Sequence, residues 1–308
     1  MSLLSVPLNV HVITALEEGA SSLGDLRGAV GLPPPTTMRG HLRTLTELGI
    51  LERSRSGAFP GVVSYALTRS GEDLLRLAYI VQAWLNLAPG QTLILGTLSA
   101  KSATKALVEG WSSTLIRALA ARPLTLTALD CLIGNLNYPS LERRLSAMRM
   151  VGQIEPIATH GRGTPYTVTP WLRQAVAAIA AASRWEGTHT PDSSMVGRID
   201  VEAMFLLAIP LVRLSSDVTG SCRLAVELGA DRQLAGVMVG FANGEPVSYV
   251  ADLSGSAVSG AVGTLAGWLD ALLDARTTGL EVSGDCRLAR AIIDGLHEGL
   301  CGRDLQVH

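Results

Sequence analysis

The sequence predicts an α+β chain: a helical unit with a two-stranded hairpin, a second copy of that unit, and a third unit with helices against one antiparallel sheet. Three observations carry this. The stretch PTTMRGHLRTLTELGILER (Pro35–Arg53) reads as one helix running into one strand, and PSLERRLSAMRMVGQIEP (Pro139–Pro156) repeats the design. At an offset of 103, Met38 pairs with Leu141, Leu42 with Leu145, Leu45 with Met148, Leu48 with Val151, Gly49 with Gly152 and Glu52 with Glu155. LGDL (Leu23–Leu26) matches LTAL (Leu126–Leu129) at the same offset, and SYALT (Ser64–Thr68) matches PYTVT (Pro165–Thr169) at 101, as a slightly shorter hairpin loop would give. A period of this length is domain-sized, too long for a solenoid repeat. Finally, the charge changes sign along the chain. Residues 1–190 carry 17 Lys+Arg against 12 Asp+Glu, a net +5, and residues 191–308 carry 8 against 15, a net −7. The asymmetry points to a cationic part and an acidic part with different tasks.

The implied boundaries are 1–88 for the first unit, 89–101 for a connector, 102–187 for the second unit, 188–199 for a linker and 200–308 for the third unit. In the first unit a helix is expected over 6–19, with Leu8, Val12, Ala15 and Leu16 on one face. Ser21 or Ser22 can cap a second helix, Leu23–Val30. GLPPP (Gly31–Pro35) breaks it and stiffens the turn into the next helix. That helix carries an apolar stripe at Met38, Leu42, Leu45 and Leu48, cap-type residues Thr36 and Thr37 before it, and Gly49 as its stop. Ile50–Arg55 and Val62–Thr68 around SGAFPG make a hairpin. A long helix, Gly71–Leu87, closes the unit. In the repeat the expected helices are Ala103–Ala121, Thr125–Gly134 and Pro139–Val151. A hairpin over Ile154–Thr169 and a long helix over Trp171–Arg184 follow. GTHTPDSSMVG (Gly187–Gly197) is polar and turn-rich, as a linker is. The third unit reads as a helix over Asp200–Leu214, strands Cys222–Leu228, Ala235–Phe241 and Pro246–Leu253, a helix Gly260–Leu273, a strand Leu280–Ser283 and a helix Arg287–Leu300.

Composition sets outer limits. Hydrophobic residues make up 47% of the 308 and charged residues 17%, so sizeable cores can form. No apolar run reaches the length of a membrane helix, and MSLLSVPLNVHV has no basic leader region. A cytoplasmic protein that does not enter a membrane is expected. Cys131, Cys222, Cys286 and Cys301 form no CxxC and read as small buried hydrophobes in a reducing compartment. There is no GxSxG, HExxH or strand-to-helix GxGxxG, and Asp252 and Asp285 have no patterned His or Ser partner. The chain is therefore expected to be no enzyme, with no catalytic residue, cofactor or metal site.

The polar face of the Pro35–Glu47 helix holds Thr37, Arg39, Gly40, Arg43 and Thr44: small, cationic and free of carboxylate until Glu47. Such a helix suits a DNA major groove, with arginines for guanine edges or phosphates. The candidate DNA contacts of this copy are Thr36, Thr37, Arg39, His41, Arg43 and Thr44, with Arg53 and Arg55 before the hairpin tip meeting phosphates. Those of the second copy are Ser140, Arg143, Arg144 and Arg149, with His160 and Arg162 at the tip. Two readings stand for His41, a base reader or a satisfied half-buried histidine near the apolar stripe. Two also stand for Arg143 and Arg144, which can face DNA or pair with Glu142 or Glu155.

Helix, helix, groove helix, two-stranded wing and long closing helix is the winged helix-turn-helix order. The segments MRGHLRTLTELGILER and LERRLSAMRMVGQIE, with YALT and YTVT in the second wing strand, resemble the HxlR-like branch of the MarR-type bacterial regulators over about residues 5–185. Residues 200–302 resemble a sterol-carrier-protein-like domain, on the segment VADLSGSAVSGAVGTLAGWLDALLDARTTGLEVSGDCRLARAIIDGL. That resemblance implies an apolar cavity between sheet and helices. Met238, Phe241, Leu265, Trp268 and Leu272 are its candidate lining residues, or members of an ordinary core.

Together these readings predict a ligand-responsive transcription regulator. Its partners would be double-stranded DNA, bound by two winged helices acting as a pseudo-dimer, and an apolar small-molecule effector. The chain would be a monomer with internal pseudo-symmetry or a homodimer. Two other readings stand beside it: a winged-helix scaffold for protein–protein contact, and a carrier or enzyme for an apolar metabolite.

Overall fold

The computed structural model describes residues 1–57, 61–108, 112–134, 137–158, 163–190, 196–255 and 259–301. The first unit opens with a 3-10 turn, Ser2–Ser5, followed by α1 (Pro7–Glu17), α2 (Leu23–Ala29) and α3 (Pro35–Glu47). The hairpin β1 (Leu51–Ser56) and β2 (Val62–Leu67) comes next, and α4 (Arg69–Asn86) closes the unit. Ser22 caps α2 through a reciprocal pair with Asp25, which satisfies two orphan amides. Asp25 is held below the usual carboxylate range, chiefly by the Ser22 hydroxyl. On α3, Met38, Leu42 and Leu45 are fully buried. Leu48, expected on the same stripe, is exposed, because it is the C-cap residue and the chain turns away there into Gly49 at φ +70°. Thr36 and Thr37 do not cap α3. The cap position is Pro34 and makes no side-chain bond, so both threonines lie within the first helical turn.

After one additional helix the second unit follows the same order. It contains α5 (Leu98–Val108), α6 (Ser112–Ala121), a short β3 (Leu124–Thr125), α7 (Leu126–Ile133) and α8 (Tyr138–Met150). The strands β4 (Ile154–Pro156) and β5 (Pro165–Val168) and the helices α9 (Pro170–Gln174) and α10 (Val176–His189) complete it. The sequence period recurs in the hydrogen bonds. Thr68 Oγ1 donates to Gly49 O at 2.6 Å and accepts from Gly71 N, and Thr169 Oγ1 donates to Gly152 O at 2.8 Å and accepts from Leu172 N. Ile50 N donates to Leu45 O, and Gln153 N to Met148 O. Ser22 bridges Ser64 as Thr125 pairs with Pro165.

Three expectations for this unit are corrected. The helix read over Ala103–Ala121 is two helices, and α5 begins at Leu98, inside the supposed connector, because Thr97 Oγ1 accepts from Ala100 N as a cap. The single closing helix is divided at Ala175 into α9 and α10. The linker starts later than read, since α10 runs to His189, where Nε2 lies 3.0 Å from Asp73 on α4.

The third unit begins with α11 (Arg198–Ala208) and a 3-10 turn, Ile209–Leu211. Then come β6 (Gly220–Leu228), β7 (Gln233–Ala242), β8 (Glu245–Val250), β9 (Ser259–Thr264), α12 (Leu265–Asp274), β10 (Leu280–Ser283) and α13 (Cys286–Cys301). The sheet order is β10-β9-β6-β7-β8, and β6 runs parallel to β9, so the sheet is mixed and not purely antiparallel. Gly260–Thr264, read as the start of a helix, belongs to the strand β9. Its glycines permit close strand contact: a Cβ on Gly263 would lie 2.5 Å from Gly279 O. Pro210 falls in the turn that ends the α11 segment before Leu214.

The units are fastened together. Every residue of α11 from Val201 to Ala208 is buried, and the helix is packed between α6 and β7. Its Glu202, 1% exposed, is held by Arg117 of α6 and by Arg198, the latter at 2.6 Å. Arg184 of α10 donates to Leu269 O at 2.7 Å and pairs with Asp270 and Asp274 of α12. Between α4 and α9 the indoles of Trp84 and Trp171 stack at 4.7 Å with an interplanar angle of 7°. Among the described residues no helix is long and apolar enough to cross a membrane.

Candidate nucleic-acid interface

With the stripe of α3 turned inward, the opposite face is presented to solvent. Thr36, Thr37, Arg39, Arg43 and Thr44 are exposed there. The antiparallel register sets Arg53 opposite Tyr65 and Arg55 opposite Val63, two residues apart and so on one face of the hairpin. Arg39, Arg43 and Arg53 therefore line one groove of about 540 Å³ between helix and wing, with Val63 and Tyr65 as its apolar wall. Arg43 is held loosely by Glu47, with Nε 3.7 Å from its carboxylate and both side chains exposed. An exposed pair of this kind is weak and yields readily to a phosphate. Tyr65 and Val63 were not among the sequence candidates. The alternation of β2 and its pairing with Arg53 were the available signals.

His41 belongs to the inner side. It is half-buried, and its Nδ1 lies 3.0 Å from Oδ1 of Asn9 on α1, which is itself buried. Of the two readings open for it, the structure displays the satisfied histidine.

The second unit presents a different surface. Glu142 and Ser146 of α8 stand where Arg39 and Arg43 stand on α3, at the offset of 103. Arg143 and Arg149 are exposed, and Ser140 is half-buried with its amide donating to the Asn137 side chain. Arg144 is half-buried and donates to Ala106 O of α5 at 3.0 Å, which draws it away from the exposed face. His160 and Arg162 lie outside the described residues.

In the third unit Trp268, Phe241 and Leu272 are core residues, at most 2% exposed. The Trp268 indole donates to Ala225 O at 2.8 Å and meets Phe205 of α11 edge to face, with centroids 5.0 Å apart. Met238 and Leu265 are partly exposed. None of the five lines the groove at α3 or either of two larger clefts, of about 950 and 1170 Å³, among the described residues.

The cysteines differ from one another more than the sequence suggested. Cys222 is buried, Cys301 half-buried, and Cys131 and Cys286 are exposed, all of them free thiols. Burial pushes the Cys222 thiol up to about 12. Burial also lowers the Arg173 guanidinium from its usual value, against the opposing effect of Tyr249. Arg173 donates to Leu206 O at 2.9 Å and ties α9 to α11.

No curated protein matches the chain. Residues 7–91, from the start of α1 to just beyond α4, match the family model of the HxlR-like helix-turn-helix, and that match supports a DNA-binding transcription regulator.

Proposed function

We propose that the chain is a ligand-responsive regulator of transcription, cytoplasmic, with two winged helices acting as an internal pair on double-stranded DNA and the third unit taking part in binding an apolar small-molecule effector. The observation that carries the DNA reading is the groove in which Arg39, Arg43 and Arg53 converge on one exposed face beside a wing. A helix of this kind enters the major groove, while strand arginines meet the flanking phosphates. The repeated hydrogen bonds of the Thr68 and Thr169 caps support a second copy of the same fold.

The two copies are unequal. On α3 the exposed positions hold Arg39 and Arg43. Their equivalents on α8 are Glu142 and Ser146, and a carboxylate there repels phosphate and guanine acceptors. The first copy is therefore assigned base readout and the second mainly phosphate contact through Arg143 and Arg149. A gel shift on the DNA upstream of the coding sequence tests this. Binding that falls tenfold or more in Arg39→Ala and Arg43→Ala, with an unchanged melting temperature, supports the reading, and unchanged binding refutes it.

A second reading, of the α8 side as a protein-docking surface, is favoured by its exposed apolar residues, Met150 at 84%, Leu132 at 49% and Tyr138 at 44%. Salt separates the two. Phosphate contact weakens steeply with ionic strength, and apolar docking does not.

A further inference from the structure

Glycine in the middle of a helix costs stability, because it loses more backbone freedom on folding than any other residue. At Gly71 of α4 and Gly267 of α12 the fold supplies the reason for it. A Cβ on Gly71 would collide with Ile50 O, and one on Gly267 would lie 2.6 Å from Gly279 O. Gly40 is different. It is the sixth of the 13 residues of α3, its backbone is ordinary helix, and an added Cβ would meet nothing within 4 Å. Gly28 and Gly187 also face open space, but each sits in the last turn of its helix, where fraying lowers the cost. Nothing among the described residues requires position 40 to be bare.

We propose that Gly40 sets the sequence specificity of the interface: it is a notch at the centre of the exposed α3 face that lets a base-pair edge of duplex DNA come against the helix backbone. This rests on the reading of the chain as a DNA binder and names the residue that decides how deeply α3 seats. On a helix the surface neighbours of position 40 are the residues three and four away, here Thr36, Thr37, Arg43 and Thr44, all of them exposed. Arg39 adjoins the notch, and with Arg43 and Arg53 it lines the groove beside the wing. Reach divides these side chains. The arginines are long and meet phosphates or guanine edges from a distance. The threonines are short and touch a base edge only where the helix backbone lies close to it. A side chain at position 40 would stand in the middle of that ring and hold the helix off. The bare position thus turns a general cationic attraction into base reading.

The second copy carries the opposite residue. At the offset of 103 the equivalent of Gly40 is Arg143, exposed on α8. Around it stand Pro139, Ser140, Ser146 and Ala147 in place of Thr36, Thr37, Arg43 and Thr44. A long cation at the centre of the face suits a helix that lies above the groove and meets phosphates, in keeping with the unequal roles of the two copies.

The test uses the full-length protein and two duplexes: the sequence that the parent protein enriches from a random pool, and a scrambled sequence of equal length and composition. Affinity for each is read by fluorescence anisotropy in Gly40→Ala, Gly40→Leu and Gly40→Arg, beside the melting temperature of each variant. Gly40→Ala should melt about 1–3 °C above the parent, since alanine suits the helix better and finds open space. Its preference for the selected duplex should nonetheless fall. In Gly40→Leu that preference should fall about tenfold or more, the cost of at least one lost base contact. Binding to the scrambled duplex should be unchanged in both. Gly40→Arg should bind the scrambled duplex at least as tightly as the parent does, with the preference gone. Equal loss on both duplexes in Gly40→Leu overturns the proposal. A parent that prefers its selected duplex, with the preference intact in Gly40→Leu and Gly40→Arg, removes the role of Gly40 and leaves the regulator reading standing. A parent that binds no duplex removes both.

Discussion

Trp84 and Trp185 are 101 residues apart in the chain and make the same bond in opposite directions. Trp84 Nε1 donates to Trp171 O at 3.0 Å, and Trp185 Nε1 donates to Ser70 O at 2.9 Å. Ser70 and Trp171 are themselves 101 residues apart. Residue i of one unit thus meets position j of the other, and the position 101 residues from i meets the position 101 residues from j, as across a twofold interface, which supports the proposed internal pair. The stack of Trp84 on Trp171, whose Nε1 returns a bond to Trp84 O at 3.0 Å, has no such counterpart, since Ser70 stands at the equivalent of Trp171.

Trp84→Ala removes a side chain only 1% exposed, together with its stack and hydrogen bond. The expected loss is about 3–5 kcal/mol in urea unfolding. Trp185→Phe keeps an aromatic ring and loses the indole bond to Ser70 O, for about 0.5–1.5 kcal/mol. A Trp84→Ala variant within about 0.5 kcal/mol of the parent, the range of ordinary surface substitutions, would show that this contact does not hold the units together.

The two cap threonines should behave alike. Thr68→Ala and Thr169→Ala each remove a helix cap and a bond to the preceding turn, at about 1–2 kcal/mol apiece. They are far enough apart in sequence and partners for the double variant to show the sum. Unequal effects, read from paired denaturation curves, would mean that the duplicated bonds do unequal work.

Glu202→Ala strips the carboxylate from between Arg117 and Arg198. Both guanidiniums reach solvent, Arg117 at 31% and Arg198 at 63%, so the cost falls below that of a fully buried pair, at roughly 1–3 kcal/mol. The loss should appear as faster proteolysis in the segment between α10 and α11, because α11 loses its polar tie to α6. Unchanged cleavage would place the anchoring of α11 in its apolar faces alone.

Thiol labelling separates the four cysteines. At about pH 8 the exposed Cys131 and Cys286 should react first with an aromatic disulfide reagent. Cys222, buried and with its thiol at about 12, should react only on unfolding. Cys301 is also raised, chiefly by burial, and should be slow. Fast modification of Cys222 in the native protein would contradict its position inside the sheet.

What the sequence made legible was whatever depends on near neighbours. The stripe at Met38, Leu42 and Leu45, the Ser22 cap and the Gly49 stop are all local, and each stands as read. So is the cationic face with Arg39 and Arg43, and the period of the hairpin brought Arg53 to it. The misreadings come from contacts made far along the chain. The alanine- and glycine-rich Ser259–Thr264 looks helical in isolation, but its place between β6 and β10 makes it a strand. His41 could be placed only once Asn9 of α1 was beside it, and Arg144 only once α5 had packed across α8. The cleft of about 950 Å³ draws on four helices, α4, α10, α12 and α13, spread over more than two hundred residues, and no spacing in the sequence marks it.

The most direct measurement is the salt dependence of binding to upstream duplex DNA, read by fluorescence anisotropy between about 50 and 200 mM salt. Affinity should fall steeply across that range. Arg39→Ala with Arg43→Ala should abolish discrimination against unrelated sequence, while Arg143→Ala with Arg149→Ala should weaken all duplexes alike and flatten the slope. Affinity that is insensitive to salt, or discrimination that survives loss of both α3 arginines, would contradict DNA recognition through α3.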